Sequence, residues 1–167
     1  MLDSFAKDHR HLAELADRIE ACLDDAGPIV AMQLGQLRCA FAHEAVRHTI
    51  VEDRLVYRAL EKADPQWMAR HRETFPSLRT DMFLHRLQQH IHRWEARVEE
   101  GDRPRRAAAT RELLQLLRTR MEMEEHVLYP RFRELQATGP RSRRFRQAPS
   151  AGAEVRRIVP AIEPPPA

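Results

Sequence analysis

Glu52-Asp53-Arg54-Leu55-Val56-Tyr57-Arg58-Ala59-Leu60 and Glu124-Glu125-His126-Val127-Leu128-Tyr129-Pro130-Arg131-Phe132 repeat one another at a fixed offset of 72: acid for acid, aliphatic for aliphatic, Tyr for Tyr. A looser repeat at an offset of 79 pairs Phe5 with Leu84, Leu12 with Ile91, Leu15 with Trp94 and Ile19 with Val98. Periods this long describe two related halves rather than a solenoid. The apolar residues in both halves recur every three or four positions, Gly is only 5 of 167 residues and β-branched runs are scarce, so each half reads as a helical hairpin. Two such hairpins predict an all-α, antiparallel, up-down-up-down four-helix bundle over residues 1–139.

The four helices can be placed in order. Helix 1 is expected from a cap at Asp3 or Ser4 to about Asp24, with Gly27-Pro28 stopping it. Its inner stripe is Phe5, His9, Leu12, Ala16, Ile19 and Leu23, which turns His9 inward and His11 outward. Helix 2 follows Pro28 and runs to about Lys62, ending before Asp64-Pro65. Residues 65–77 form a connection in which one short helix holds Trp67 and Met68 on the bundle and leaves His71 exposed. Helix 3 is expected from a cap at Ser77 to Glu100, with Phe83, Leu84, Leu87, Ile91, Trp94 and Val98 inside. Its histidines, His85, His90 and His92, fall off the centre of that stripe, His90 nearest to it. Helix 4 starts at Pro104 and ends near Leu135, with Ala109, Leu113, Leu116, Leu117, Arg120, Glu124, Val127 and Leu128 inward, His126 outward and Pro130 kinking the last turns.

Helix 2 carries the feature with chemical content. Leu34, Leu37, Phe41, Ala45, His48, Glu52 and Leu55 lie within an arc of about 60–80°, so His48 and Glu52 point where leucines belong. A buried carboxylate without a partner costs several kcal/mol or neutralises itself. Metal ligation and an ion pair both answer that requirement, and the helix alone does not choose between them. Glu44, one turn earlier, is placed to act as an outer partner or spare ligand. The repeats show what faces this pair: His48 maps onto Arg120 at offset 72, and His9 onto Gln88 at offset 79. The second hairpin keeps its acid, Glu124, and lacks both imidazoles.

Other classes are poorly supported. Residues 140–167 hold six Arg against Glu154 and Glu163, and six of the eleven Pro, which leaves the first 139 residues at about −1 of the formal +3. The basic charge belongs to a tail expected to be disordered, not to a nucleic-acid or membrane surface. Cys22 and Cys39 form no C-x-x-C and read as reduced thiols. There is no P-loop, no G-x-S-x-G and no Ser or Cys beside a base. With no apolar leader and no run of 18 apolar residues, a cytoplasmic protein is expected.

Asp8-His9 on helix 1, His48-x-x-x-Glu52 on helix 2 and Glu124-Glu125-His126-Val127-Leu128-Tyr129-Pro130 on helix 4 together resemble the hemerythrin-like (HHE cation-binding) family, over roughly residues 3–135. The resemblance implies a bundle around two iron ions, held by one His on the first helix, His-x-x-x-Glu on the second, one or two His on the third, and a His with a carboxylate on the fourth. By position, His9 and His48 resemble the imidazole ligands of one iron, and Glu52 and Glu124 the bridging carboxylates. Arg120 and Gln88 stand where ligands of the other iron are implied, unless His85 or His90 serves from a rotated helix 3.

The expected metal ligands are therefore His9, His48, Glu52 and Glu124, around iron as one ion or two, with Arg120 contacting a bound anion or oxygen-derived ligand. The expected function is binding or sensing of oxygen, a peroxide or nitric oxide, with enzymatic turnover left open. The alternative is a metal-free scaffold in which Arg120 pairs with Glu52 and Glu124, and a third reading is peroxide or oxygen chemistry at a mononuclear site. Oligomeric state is left open.

Overall fold

The computed structural model describes residues 1–25, 27–75, 79–95 and 102–138. The expected tail over 140–167, the Ser77 cap and the last turn of helix 3 beyond Glu95 lie outside the described residues. Every described element is helical: α1 (Leu2–Ala21), α2 (Pro28–Glu52), the π turn π1 (Asp53–Tyr57), α3 (Arg58–Ala63), α4 (Pro65–Thr74), α5 (Thr80–Glu95), α6 (Arg103–Met123), the π turn π2 (Glu124–Leu128) and α7 (Tyr129–Thr138). No helix among the described residues is long and apolar enough to cross a membrane.

α1 packs on α2 and α6, and α5 closes the ring against the same two helices. Ion pairs fix the antiparallel sense of α1 and α6: Arg118 reaches Asp17 and Glu20 at 2.7 and 2.8 Å, and Arg111 reaches Asp24 at 2.8 Å. α5 also runs against α6, with His90 beside Thr110 and Thr80 beside Arg120. The bundle is up-down-up-down, as the two-hairpin repeat predicts.

Two apolar clusters fill it. The larger gathers Leu12, Ile19, Phe41, Leu87, Leu114 and their neighbours. The smaller joins Phe5, Val56, Leu60, Met68, Leu128 and Phe132. Between them lies a layer of buried polar side chains: His9, His48, Glu52, Arg120 and Glu124, each no more than 3% exposed.

The π turns are what the α-period misses. Leu55 continues the helix 2 stripe on paper, yet it is only half-buried, while Val56 is fully buried. In the same way Val127 is half-buried and Leu128 fully buried. A π turn inserts one extra residue into the revolution, so the buried phase slips by one position. Pro130 is the second residue of α7, two past the end of π2, and the widened turn before it accommodates a residue that lacks an N–H and presses on the preceding turn.

Smaller expectations need correction. α1 starts at Leu2 with Met1 as its cap residue and no side-chain cap, so Asp3 and Ser4 are first-turn residues. α1 also ends at Ala21 rather than near Asp24. His71 is half-buried, because its ring stacks on Trp67 at 3.7 Å and its Nδ1–H donates to the Trp67 carbonyl at 2.8 Å.

Candidate metal centre

Three helical rods deliver the buried polar layer and a fourth flanks it. α1 brings His9, the end of α2 brings His48 and Glu52, and the α6–π2 junction brings Arg120 and Glu124. α5 contributes Phe83 and Thr80 beside Arg120. One ligand atom from each of His9, His48, Glu52 and Glu124 lies within 4.8 Å of all the others.

The two imidazoles face each other through their Nε2 atoms, 3.0 Å apart. On the outer side, His9 Nδ1–H donates to Glu125 Oε1 at 2.7 Å, and His48 Nδ1 points to Asp8 Oδ2 at 3.5 Å. Asp8 is held in turn by Arg47 at 3.1 Å, and Arg47 by Glu44 at 2.9 Å. Glu44 thus stands three links behind His48, in the place of an outer partner.

Each carboxylate divides its oxygens in the same way. Glu52 Oε1 accepts the Tyr129 hydroxyl at 2.6 Å, and Glu124 Oε1 accepts the Tyr57 hydroxyl at 2.6 Å. The pairs cross, each tyrosine reaching the acid of the other hairpin. Five residues along an α-helix amount to about 500°, leaving side chains about 140° apart. The slower rotation of the π turns swings Tyr57 and Tyr129 back toward the face of Glu52 and Glu124. Both hydroxyls are pushed above the ordinary tyrosine range, by burial and by the carboxylates, so they remain protonated donors. The other oxygens, Glu52 Oε2 and Glu124 Oε2, are buried with no hydrogen-bond partner among the described residues. They stand 3.6 Å from His48 Nε2 and 3.4 Å from His9 Nε2.

Arg120 closes the opposite side. Its Nε lies 2.7 Å from Glu124 Oε1 and its Nη2 lies 3.8 Å from Glu52 Oε2. The guanidinium also covers the Tyr57 ring at 5.1 Å and the Phe83 ring at 5.5 Å. Burial works against the charge on Arg120, and Glu124 overrides it, holding the group firmly protonated.

The carboxylates respond unequally. Burial, reinforced by the charge of Glu124, raises Glu52 well above the usual range. Burial would raise Glu124 too, but the closer Arg120 carries it below that range. The two acids thus diverge, burial favouring the neutral form of Glu52 and Arg120 the charged form of Glu124. Burial lowers His48, favouring its neutral form. For His9 the cost of burial is outweighed by Glu124 and Glu125, which raise it.

The donor set fits a divalent cation. One atom from each of the four side chains converges closely enough for a single ion to be held among them. Two imidazoles and two carboxylates suit Fe(II), Mn(II) or Zn(II). The two partnerless Oε2 atoms are buried acceptors that such an ion would satisfy.

Of the residues expected from sequence, His9, His48, Glu52, Glu124 and Arg120 converge. The helix 3 candidates do not. Gln88 and His85 are exposed, and His85 pairs with Gln89 at 2.9 Å. His90 is buried at the other end of the bundle against Thr110. The offset of 79 sets exposed Gln88 against buried His9, and the α5 residues that touch Arg120 are Thr80 and Phe83. Sequence reasoning did not assign Tyr57 and Tyr129 to the site, although they form the Tyr-for-Tyr pair of the repeat. It also left Asp8 and Glu125 without roles, although both stand in the quoted motifs.

A family model described as Hemerythrin HHE cation binding domain matches residues 1–131. The chain belongs to the hemerythrin HHE cation-binding domain family. The match spans every helix that feeds the buried layer, as far as the start of α7. A cation-binding domain is the setting in which His9, His48, Glu52 and Glu124 could hold a metal. No curated protein and no solved structure matches the chain.

Proposed function

We propose that this hemerythrin-family domain binds a single cation, iron first among the candidates, through His9, His48, Glu52 and Glu124, and uses it to bind or sense oxygen, a peroxide or nitric oxide. The observation that carries the count of one is the division of the carboxylate oxygens. A carboxylate that bridges two ions through both of its oxygens would offer Oε1 to the second ion, whereas here each Oε1 accepts a tyrosine hydroxyl and Oε2 turns toward the imidazoles. Arg120 fills the other half of the layer with a fixed positive charge.

In this reading His9 and His48 ligate as neutral imidazoles, their Nδ1–H groups turned to acids behind them. Glu52 and Glu124 supply the charge, and the tyrosines fix which oxygen each presents. Bound iron would supply an open position for a small ligand, and Arg120 would hold negative charge that develops there. The domain is read as a binding protein rather than an enzyme. A cytoplasmic location, with no nucleic-acid or membrane partner, accompanies this proposal.

A second reading is a metal-free scaffold, favoured by the 2.7 Å pair between Arg120 and Glu124, which neutralises one acid without an ion. Metal content per chain separates the two. Protein without a histidine tag, purified from iron-supplemented cells, should carry about one ion that is lost in Glu52→Ala, and Arg120→His should raise the count toward two. Two ions in the wild type would overturn the single-ion reading. None, together with an Arg120→His variant that is merely destabilised, would leave the scaffold.

A further inference from the structure

We infer that Glu125 and Asp8 are positioning residues for the cation site, fixing which nitrogen of His9 and His48 faces it, and that Glu125 is the stronger of the two. The inference rests on the cation-binding reading above.

The chain uses neighbouring residues for unlike tasks. Glu124 and Glu125 are consecutive in π2, and side chains at consecutive helical positions diverge by about 100°. Whatever the slower rotation of the π turn leaves between them, they hold one ring from two sides: Glu124 Oε2 lies 3.4 Å from His9 Nε2, while Glu125 Oε1 lies 2.7 Å from His9 Nδ1. Asp8 and His9 are consecutive on α1, and Asp8 turns to His48 on α2 while His9 receives Glu125. Two adjacent pairs thus tie α1, α2 and π2 together through the outer nitrogens of the imidazoles.

A neutral imidazole carries one proton, and the nitrogen without it is the one that can ligate. An acid at Nδ1 keeps the proton on that side, leaves Nε2 as a lone pair aimed into the layer and raises the basicity of the ligating nitrogen. Glu125 serves His9 in this way at 2.7 Å, and at 42% exposure it contributes little to the core. Asp8 stands farther from His48, at 3.5 Å, and divides its charge with Arg47 at 3.1 Å. The two rings are therefore held unequally, His9 more tightly.

The test uses Co(II), whose visible absorption reports its ligands, on the full chain as wild type, Glu125→Gln, Glu125→Ala and Asp8→Asn, with affinity from chelator competition. Removal of such an outer partner costs about 10–100-fold in metal affinity. Glu125→Ala should fall in that range with a changed Co(II) band. Glu125→Gln should fall less, since its amide oxygen still accepts from Nδ1–H, and Asp8→Asn least. Thermal unfolding of the metal-free forms should stay close to wild type. Wild-type affinity and an unchanged band in both Glu125 variants would overturn the inference while leaving the cation site standing. A wild-type chain that binds no Co(II) would overturn the cation reading itself, and the inference with it.

Discussion

Histidine is buried at both ends of this bundle, with opposite consequences. At one end His9 and His48 lie among Glu52, Glu124, Glu125 and Asp8. At the other, His90 donates from Nε2 to Thr110 Oγ1 at 3.1 Å, and that hydroxyl donates onward to the Arg106 carbonyl at 2.7 Å. Burial pushes His90 down to about 4, helped by Arg38, Arg93 and Arg106. Its surroundings repel a cation, whereas those of His9 attract one. Burial of an imidazole is therefore no signal of metal; the neighbouring carboxylates are.

The largest effect expected from this contrast comes from deleting the guanidinium at the acidic end. Arg120→Met leaves Glu52 and Glu124 buried with no cation beside them. Breaking a buried pair from one side costs about 3–5 kcal/mol. Urea unfolding of the metal-free protein should show a loss of that size, and excess Zn(II) should return much of it, because a divalent ion can take the place of the lost charge. A loss that Zn(II) does not reduce would show that the layer needs the guanidinium itself.

The bundle and its inward acids were legible in the sequence because both depend on a period. Phe5, His9, Leu12, Ala16 and Ile19 lie inside as the 3.6-residue repeat requires. The π turns were not legible, since one inserted residue leaves no mark in composition. Their trace is the exchange of Leu55 for Val56 in the core, and with it the reach of Tyr57 and Tyr129 to the acids. Helix 3 shows a different limit of the sequence. A string with His85, His90 and His92 looks like a ligand set, but whether an imidazole meets acids or arginines depends on which helices pack beside it.

The next effect is a pH dependence at the basic end. His90 has a folded pKa of about 4, below the unfolded value of about 6.5. The fold prefers the neutral ring, so this contribution is complete above pH 6.5 and is lost as pH falls toward 4, where the unfolded chain gains a proton that the folded chain refuses. At roughly 1.4 kcal/mol per pKa unit the loss by pH 4.5 is about 2 kcal/mol. Other groups titrate over the same range, so the comparison is with His90→Gln, whose amide can still donate to Thr110. The variant should lose less stability than wild type between pH 7 and 4.5. Equal losses would mean that His90 is not held neutral.

The smallest effect separates the hydrogen bond from the charge at that end. Thr110 is fully buried, and Thr110→Val keeps its shape while removing both the acceptor for His90 and the donor to Arg106. One such buried bond is worth about 1 kcal/mol. Neutral and protonated His90 both carry an Nε2–H, so both lose this acceptor and the pH dependence should stay as in wild type. Thr110→Val should therefore lower stability by about the same amount at pH 7 and pH 4.5, whereas His90→Gln changes the dependence and little at pH 7. If Thr110→Val also flattened the pH dependence, the hydroxyl rather than the surrounding arginines would be what sets the charge state of His90. The two ends would then differ in their hydrogen bonds more than in their electrostatics.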